Sequence, residues 1–231
     1  MKRKTIHTIW RQVMSFKNMG WTFILWLLPV FGMTQELYQP DLRQFSKETL
    51  TLARGNSGVV FMTEEEQDVA FYMNLVRLEP QIFMEAILKP YVAHYELNKN
   101  HYVKSLYSDL KKAESVMPLV MKQDLYEVSK AHLDDIGAKG IEGHTGSNGK
   151  TFKKRVDHLF KTYISVSENV GLGFETPLDN VIGLLIDDGV KDVGHRKAIL
   201  SPNYNCVGVA LGMHKNYIKG CVMDFGQLEV H

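Results

Sequence analysis

The sequence lacks the signatures of several developed catalytic sites. It has no Gly-x-Ser-x-Gly elbow, which exposes a nucleophilic serine, and no His-Glu-x-x-His pair of the kind that binds catalytic zinc. Cysteine occurs only at Cys206 and Cys221, and both lie in segments with a strand pattern. These absences count against an elbow-type hydrolase, a zinc protease of that type and an enzyme with a cysteine nucleophile.

An excess of basic charge is also absent. The 27 Lys and Arg residues nearly balance the 26 Asp and Glu residues. Five of the basic residues and none of the acidic ones lie within residues 1–34, so 22 basic residues remain against 26 acidic ones from residue 35 onward. Because proteins bind the phosphate backbone through clustered Lys and Arg, we expect no nucleic-acid partner.

A long hydrophobic run is missing as well. A basic N-terminal stretch is followed by one nearly unbroken apolar run, Trp21 to Phe31, which is shorter than the roughly 20 residues that a membrane-spanning helix needs. This pattern predicts a signal peptide over residues 1–34, with small residues at Gly32 and Thr34 for cleavage. We therefore expect an exported protein, periplasmic or secreted, without a retained membrane span.

The next segment, residues 35–63, is polar and aperiodic. Pro40, Gly55 and Gly58 interrupt it, and we predict a polar tether. The folded domain is then expected over residues 64–231. A helix should open it, because Thr63 and a glutamate three residues later have the spacing of a capping box.

The order of the predicted elements favours an α+β fold. Apolar residues recur at helical spacing in TEEEQDVAFYMNLVRLEP and LYEVSKAHLDDIGAKG, and Pro177 opens a further helix. The segments CVGVALG and NYIKGCVMDFG, at the end of the chain, have the composition of two paired strands. Helices first and paired strands last predict an antiparallel sheet between helices, not a parallel doubly wound sheet.

The two cysteines lie in these last two strands, and export would permit a disulfide between them. Because side chains alternate along a strand, Cys206 and Cys221 face the same side when an even number of residues separates the paired positions. A bridge would close a loop of about 15 residues and add roughly 3 kcal/mol of stability. The alternative is a pair of buried free thiols.

Polar residues stand out in three glycine-rich, otherwise apolar segments. GHTGSNG contains His144, SENVG contains Glu168 and GHRKAIL contains His195. Each segment alone is a weak signal, since single loop histidines are common at surfaces and a glutamate after a serine often caps backbone groups. Their combination and order are specific.

In this order the segments resemble the CAP superfamily of cysteine-rich secretory, antigen 5 and pathogenesis-related 1 proteins, in its bacterial SCP-like form. The resemblance runs from about Glu64 to Gln227 and includes NLVRLEP, AHLDDIGAKG, IDDG and the closing MDFGQ. It implies a three-layer α-β-α sandwich with a small antiparallel sheet. It also implies an open cleft on one side, where two histidines and two acids meet.

Matching motif positions assigns the family's histidines to His144 and His195 and its first acid to Glu168. The second acid departs from the pattern, because VIGLLIDDGVKDVGHR lacks the tryptophan that precedes the glutamate in many eukaryotic members. Asp188 is the best match and Asp187 is the alternative. The resemblance thus implies a cleft tetrad of His144, Glu168, Asp188 and His195.

Two imidazoles and two acids support more than one chemistry. His144 and His195 would supply half of the ligands of a zinc site, with the carboxylates orienting the rings or adding oxygen ligands. Without metal, each imidazole and its acid would form an acid–base pair. A structural role is also open, in which Glu168 binds backbone N–H groups of the loop beside it.

As the resemblance implies, we expect a secreted module whose cleft binds a lipid, a cell-envelope component or another protein, with zinc as the one candidate cofactor. The alternative is a peptidase-like hydrolase with Ser147 or Ser167 as nucleophile. A hydroxyl about 3 Å from His144 or His195, with an acid behind that ring, would favour the hydrolase. A third interpretation is an envelope protein in which the tetrad is idle.

Overall fold

The computed structural model describes residues 36–229. The predicted signal peptide at residues 1–34 lies outside these described residues and stays a prediction. Within residues 36–229, no helix has the length and apolarity that a membrane span requires.

Helices occupy most of the first two thirds of the described chain, and the longest strands come last. The helices are α1 (Lys47–Arg54), α2 (Glu64–Leu78), α3 (Pro80–Phe83), α4 (Lys89–His94), α5 (His101–Lys112), α6 (Gln123–Lys139), α7 (Phe152–Val156), α8 (Pro177–Ile186) and α9 (Gly194–Leu200). The short helical turns are a π-helical turn (Met84–Leu88) and two 3-10 turns (Leu97–Lys99 and Asp157–Lys161). The strands are β1 (Val120–Met121), β2 (Ser165–Leu172), β3 (Cys206–His214) and β4 (Ile218–Gln227).

Helix α2 begins with the predicted capping box. The Thr63 side chain accepts the N–H of Glu66, and the Glu66 carboxylate accepts the N–H of Thr63 at 2.7 Å. Both backbone donors at the helix start are therefore satisfied. Pro80 then starts α3, since a proline in the first turn removes no N–H that the helix needs.

The four strands form one sheet in the order β1-β3-β4-β2. β3 and β4 form a hairpin, and β2 pairs antiparallel with β4. β1 pairs parallel with β3, over Val120 and Met121 only. The predicted α+β class is confirmed, and the one difference is that the short β1 makes the sheet mixed.

The sheet lies between two helical layers. On one face α6 packs so closely that a Cβ at Gly208 of β3 would lie 2.0 Å from the backbone N of Tyr126. On the other face, Val207, Val209 and Phe225 join the main core that α2, α8 and α9 complete. The predicted three-layer α-β-α sandwich is therefore confirmed.

Residues 36–63 differ from the polar tether that the sequence predicts. They include α1, and Phe45 and Met62 are buried in the main core. The Asn56 side chain bonds both the N–H and the C=O of Met121, at 2.9 and 3.0 Å. Apolar residues at irregular spacing give no periodic signal, so this packed segment resembles a tether in sequence alone.

The predicted disulfide between Cys206 and Cys221 is not formed, and both thiols are free and buried. In the hairpin Cys206 is opposite Gly226, and Cys221 is opposite Leu211. Cys221 thus lies an odd number of residues from the partner of Cys206, which puts the two thiols on opposite faces of the sheet. Burial raises the pKa of Cys206 to about 11. The alternative of two buried free thiols describes the structure.

Arg77 of α2 is a buried cation that bonds four backbone carbonyls. Its guanidinium donates to the carbonyl oxygens of Met117, Ile199, Ser201 and Tyr204 at 2.7–3.0 Å. These acceptors lie before β1, at the end of α9 and before β3. Burial lowers the pKa of Arg77 to about 10, so the side chain stays charged at neutral pH. One side chain therefore joins three distant segments to α2.

Arg77→Met is expected to lower the free energy of unfolding by about 3 kcal/mol or more, because four carbonyls lose a charged donor. Denaturant unfolding followed by circular dichroism measures the loss. Arg43→Met is the matched control, since Arg43 is exposed and pairs with Asp41 alone, and it should cause no measurable change. Equal stability of the two variants would contradict this role of Arg77.

Candidate functional site

His144 and Glu168 form the first half of the site. His144 lies in the loop between α6 and α7, and Glu168 lies in β2. Nδ1 of His144 is 2.9 Å from Oε1 of Glu168. The imidazole is 47% exposed and the carboxyl side chain 1% exposed. The ring therefore reaches solvent while the group that orients it is buried.

Arg155 of α7 holds the Glu168 carboxylate. Its Nη2 lies 2.7 Å from both carboxylate oxygens and also donates to the backbone oxygen of His144 at 3.2 Å. A guanidinium offsets the cost of burying a carboxylate, so Glu168 is in its ionised form. Since an ionised carboxylate only accepts hydrogen bonds, Nδ1 of His144 carries the proton.

His195 and Asp187 form the second half. His195 is the second residue of α9, and Asp187 directly follows α8. Oδ1 of Asp187 is 2.7 Å from Nδ1 of His195, and Oδ2 accepts the backbone N–H of His195 at 2.9 Å. The Asp187 side chain is 2% exposed and the imidazole 22%. Both halves thus consist of a buried acid and a more exposed imidazole.

Asp187, and not Asp188, is the acid beside His195. Asp187 ends α8 with a φ of 58°, and Val193 precedes α9 with a φ of 47°, which is rare for a β-branched residue. These two residues with left-handed backbone begin and end the connection between α8 and α9, which brings His195 back beside Asp187. Asp188 is half-buried and, within the described chain, bonds neither histidine. The expectation that Asp188 is the second acid was wrong, because the left-handed backbone at Asp187 decides which of the two adjacent acids faces His195.

Arg196 fixes this connection from the interior. It is 2% exposed and donates to the last carbonyls of α8, those of Leu185 at 2.6 Å and Ile186 at 3.0 Å. It also pairs with Asp109 of α5 at 2.8 Å. A cation at the C-terminal end of α8 satisfies carbonyls that have no partner within the helix. His195 is therefore held by the residue that follows it as well as by Asp187.

The two imidazoles approach each other at the edge of the sheet. Their centroids are 6.4 Å apart and their planes differ by 34°. Neighbouring residues of β2 face opposite layers, so Glu168 bonds His144 on one side, while Asn169 donates to the backbone oxygen of His195 on the other at 3.1 Å. β2 is the last strand of the sheet and pairs with β4 along one edge only. The two rings, which approach from opposite faces, therefore meet beyond the unpaired edge of β2. Neither Nε2 has a hydrogen-bond partner among residues 36–229.

A further acid, Asp224 of β4, lies behind Glu168. The two residues are opposite each other in the pairing of β2 with β4, and Asp224 is fully buried. Its Oδ2 is 2.7 Å from Oγ of Ser129 on α6. Burial, and then the negative charge of Glu168, raise the pKa of Asp224 well above its usual 3.8.

His132 of α6 lies on the same side of Glu168. It is 1% exposed, and its Nε2 is 3.0 Å from the carbonyl oxygen of Gly143 and 3.8 Å from Oε1 of Glu168. Because a carbonyl only accepts, Nε2 carries the proton and Nδ1 has a lone pair. Burial lowers the pKa of His132 although Glu168 opposes this, so the ring is neutral at neutral pH.

Buried polar atoms without a partner cluster around Glu168. In the described part of the chain they are Nδ1 of His132, Nε and Nη1 of Arg155 and Oδ1 of Asp224. Buried polar groups in folded proteins almost always find partners, ordered water included. The interior behind Glu168 thus has unused hydrogen-bonding capacity, in contrast to the apolar cores beside it.

The metal ligands at the site are limited to the two imidazoles. Across residues 36–229, no three His, Cys, Asp or Glu side chains are grouped so as to hold a metal ion. The free Nε2 atoms of His144 and His195 nevertheless fit a metal, because zinc-binding histidines are usually oriented by a carboxylate at the other ring nitrogen. A structural zinc site takes four protein ligands, so this pair fits only an open site.

Neither serine beside the site reaches an imidazole. Ser147 donates its backbone N–H and its hydroxyl to the Asp135 carboxylate. Ser167, the neighbour of Glu168, faces the other side of β2, the side of Asn169. In the described structure neither hydroxyl bonds His144 or His195. Among residues 36–229, the serine–imidazole hydrogen bond that would favour the hydrolase is therefore not formed.

Sequence analysis missed the residues behind the histidines. Arg155 is one of three basic residues in FKKRV, and nothing in the sequence separates it from Lys153 and Lys154. His132 occupies the apolar face of a helix, where a packing role is the ordinary expectation. Asp224 did carry a usable signal, because an acid in the apolar strand CVMDFG has to be buried.

Comparison with known families supports the resemblance. The family model described as CAP, cysteine-rich secretory protein family, matches residues 72–225, more than half of the chain. No curated protein matches the chain.

Three solved bacterial structures are similar at low identity. An outer surface protein of Borrelia burgdorferi is 21% identical with a TM-score of 0.42, over 56% of this chain and 94% of its own. An extracellular SCP-domain protein of Bacillus anthracis is 17% identical with a TM-score of 0.38, over 48% of this chain and 34% of its own. A cysteine-rich secretory protein of Staphylococcus aureus is 19% identical with a TM-score of 0.37, over 56% of this chain and 40% of its own. The matched region thus spans well under half of the last two proteins.

Arg155→Met is expected to lower the free energy of unfolding by about 3 to 5 kcal/mol, because it leaves the Glu168 carboxylate buried without its cation. Lys154→Met, an exposed change on the same helix, should have no measurable effect. The double variant Arg155→Met with Glu168→Gln should recover most of the loss, since the uncompensated charge is gone. Denaturant unfolding measures all three, and a double variant no more stable than Arg155→Met would refute this explanation.

Proposed function

The chain belongs to the cysteine-rich secretory protein (CAP) family, and from this premise we propose that it is an exported binding module whose ligand site is the carboxylate-oriented pair of imidazoles, His144 and His195. The ligand is a lipid, a cell-envelope component or another protein. Binding is assisted by a metal when one is present.

The orientation of the two imidazoles by buried carboxylates carries this proposal. Each ring donates its Nδ1–H in a hydrogen bond to a buried carboxylate, which directs Nε2 and its lone pair away from that carboxylate. The side chains are 47% exposed for His144 and 22% exposed for His195, which leaves both within reach of a ligand. Two oriented acceptors suit a ligand that presents hydrogen-bond donors or a coordinated metal ion.

Zinc is the metal that this donor set fits. Nε2 of His144 and of His195 would hold it, with Glu168 and Asp187 orienting the rings. Bound Zn²⁺ would supply a Lewis acid that polarises an oxygen of the ligand. With only two protein ligands, the site would keep positions for that ligand, so we assign zinc to binding and not to folding.

A hydrolase is the second candidate, and one observation favours it. A histidine with a buried acid behind it can act as a general base towards water. Serine catalysis has no support, because Ser147 bonds Asp135 and Ser167 bonds neither imidazole. A hydrolytic reaction here would therefore use an activated water, and binding remains the better-supported function.

Calorimetric titration of Zn²⁺ into the protein is expected to give saturable binding. The His144→Ala, His195→Ala double variant should lose this binding, because both Nε2 lone pairs that would bind the metal are removed. Thermal unfolding of the variant controls for the fold. Equal binding in the two proteins would contradict the metal site.

Co-sedimentation with phospholipid vesicles and with isolated envelope fragments, each compared between the wild type and the double variant, tests the binding function itself. Unchanged binding in every case would identify the site as idle.

The identity of the second acid gives a sharper test with adjacent residues. Asp187→Asn should weaken Zn²⁺ binding by roughly 10- to 100-fold, the usual effect of losing a group that orients a metal ligand. Asp188→Asn makes the same chemical change one residue away and should leave the affinity unaltered. The opposite result would restore Asp188 as the acid of the site.

A further inference from the structure

Asp224 is a buried acid with no cation bonded to it. Its Oδ1 has no hydrogen-bond donor in the described chain, and its Oδ2 contacts only Oγ of Ser129. A buried carboxylate anion needs a cation or several donors, because leaving water is costly for a charge. The surroundings of Asp224 therefore fit the neutral acid.

The hydrogen bonds of Ser129 lead to the same conclusion. Its Oγ accepts the backbone N–H of Asp224 at 3.1 Å and lies 3.1 Å from the carbonyl oxygen of Gly208. A hydroxyl has one proton, so Oγ of Ser129 cannot donate both to the Gly208 carbonyl and to Oδ2 of Asp224, 2.7 Å away. A proton on Oδ2 of Asp224 makes every contact of Ser129 a hydrogen bond.

The register of the sheet adds a charge argument. The Gly173 N–H donates to the carbonyl of Lys219 at 2.9 Å, just beyond the last paired residues of β2 and β4. Hydrogen-bonded and non-hydrogen-bonded pairs alternate along antiparallel strands, so counting back from this bond makes Glu168 and Asp224 a non-hydrogen-bonded pair. Side chains of such pairs are the closest across two strands, and like charges there are destabilising. Two anions at these positions would have to share Arg155.

Few charged or titratable groups are packed around Asp224. Glu168 faces it from β2, His132 lies one turn from Ser129 on α6, Arg155 approaches from α7, and β3 contributes a glycine. His132 is neutral, and Nη2 of Arg155 is bonded to Glu168. Arg155 is therefore the one cation among these groups, and it offsets a charge on Asp224 only in part, without a hydrogen bond to it.

We propose that Asp224 carries a proton at neutral pH and, as a neutral acid, is a positioning residue for the ligand-binding imidazole of His144. It acts by leaving Arg155 wholly to Glu168. An ionised Asp224 would attract the free Nε and Nη1 donors of Arg155 and weaken the bond to Glu168, which holds Nδ1 of His144. The positioning role rests on the proposed function, whereas the protonation of Asp224 is measurable without any ligand.

Infrared difference spectroscopy tests the protonation directly. The spectrum of the wild type minus that of Asp224→Asn at neutral pH should contain the C=O stretching band of a protonated carboxylic acid, shifted in D₂O. Asn keeps the shape of the neutral acid and a donor for Ser129, and thermal unfolding checks that the fold is retained. A carboxylate band in its place would overturn the proposal.

The pH dependence of stability is a second readout. In the unfolded chain Asp224 ionises near pH 3.8, whereas in the folded protein it keeps its proton to higher pH. The unfolding free energy of the wild type should therefore fall, relative to Asp224→Asn, as the pH rises from about 4 towards neutrality. Parallel curves for the two proteins would overturn the proposal.

Nitrogen-15 NMR of His144 tests the positioning role. At neutral pH the wild type and Asp224→Asn should both keep the proton on Nδ1. As the pH rises far enough to ionise Asp224, the wild type should lose the Nδ1–H bond to Glu168 and Asp224→Asn should keep it. Loss at the same pH in both proteins, or loss in the variant at neutral pH, would refute the role.

Zinc titration separates this inference from the proposed function. A wild type that binds no Zn²⁺, vesicles or envelope fragments would refute the function, and the infrared and stability measurements would still decide the protonation of Asp224. Where Zn²⁺ does bind, raising the pH far enough to ionise Asp224 should weaken binding in the wild type more than in Asp224→Asn. The same pH dependence of Zn²⁺ affinity in both proteins, with the fold intact, would overturn the positioning role.

Discussion

The hydrogen bonds of Arg77 are the interaction on which the remaining structure most depends. They tie the segment before β1, the end of α9 and the segment before β3 to a single helix. Because α9 carries His195 and β3 is one strand of the hairpin, this one buried cation stabilises both the site and the sheet. Carbonyl oxygens replace a carboxylate as its partners, so the charge is stabilised by dipoles from three parts of the chain.

The site uses a different device for each of its two acids. Glu168 is buried in a strand and is neutralised by a guanidinium, whereas Asp187 is held by left-handed backbone and by the start of α9. Both devices have the same chemical outcome, since each directs a carboxylate to Nδ1 and leaves Nε2 open. The imidazoles thus arrive from opposite helical layers with the same nitrogen, Nε2, left open, and the sheet edge sets the space between them.

Sequence reasoning succeeded where a residue acts within its own segment. The cap at Thr63, the helix at Pro177 and the paired strands follow from local pattern, whereas the meeting of His144 and His195 was implied by the resemblance to the CAP family. It failed where register or backbone conformation decides. The two cysteines look paired until the strand register is known, the second acid depends on one left-handed residue, and Arg155 is one of several similar basic residues.

The opposed directions of Glu168 and Asn169 make the length of β2 a fixed quantity. Inserting one residue ahead of them within the strand would exchange their faces, so the carboxylate would meet the layer of α9 and the amide would meet the layer of α6. His144 would lose its carboxylate, and His195 would lose the bond to its backbone oxygen, in a single event. Insertions and deletions should therefore be tolerated in the turn before β2 and not inside the strand, because the number of residues in β2 decides which layer each of its side chains faces.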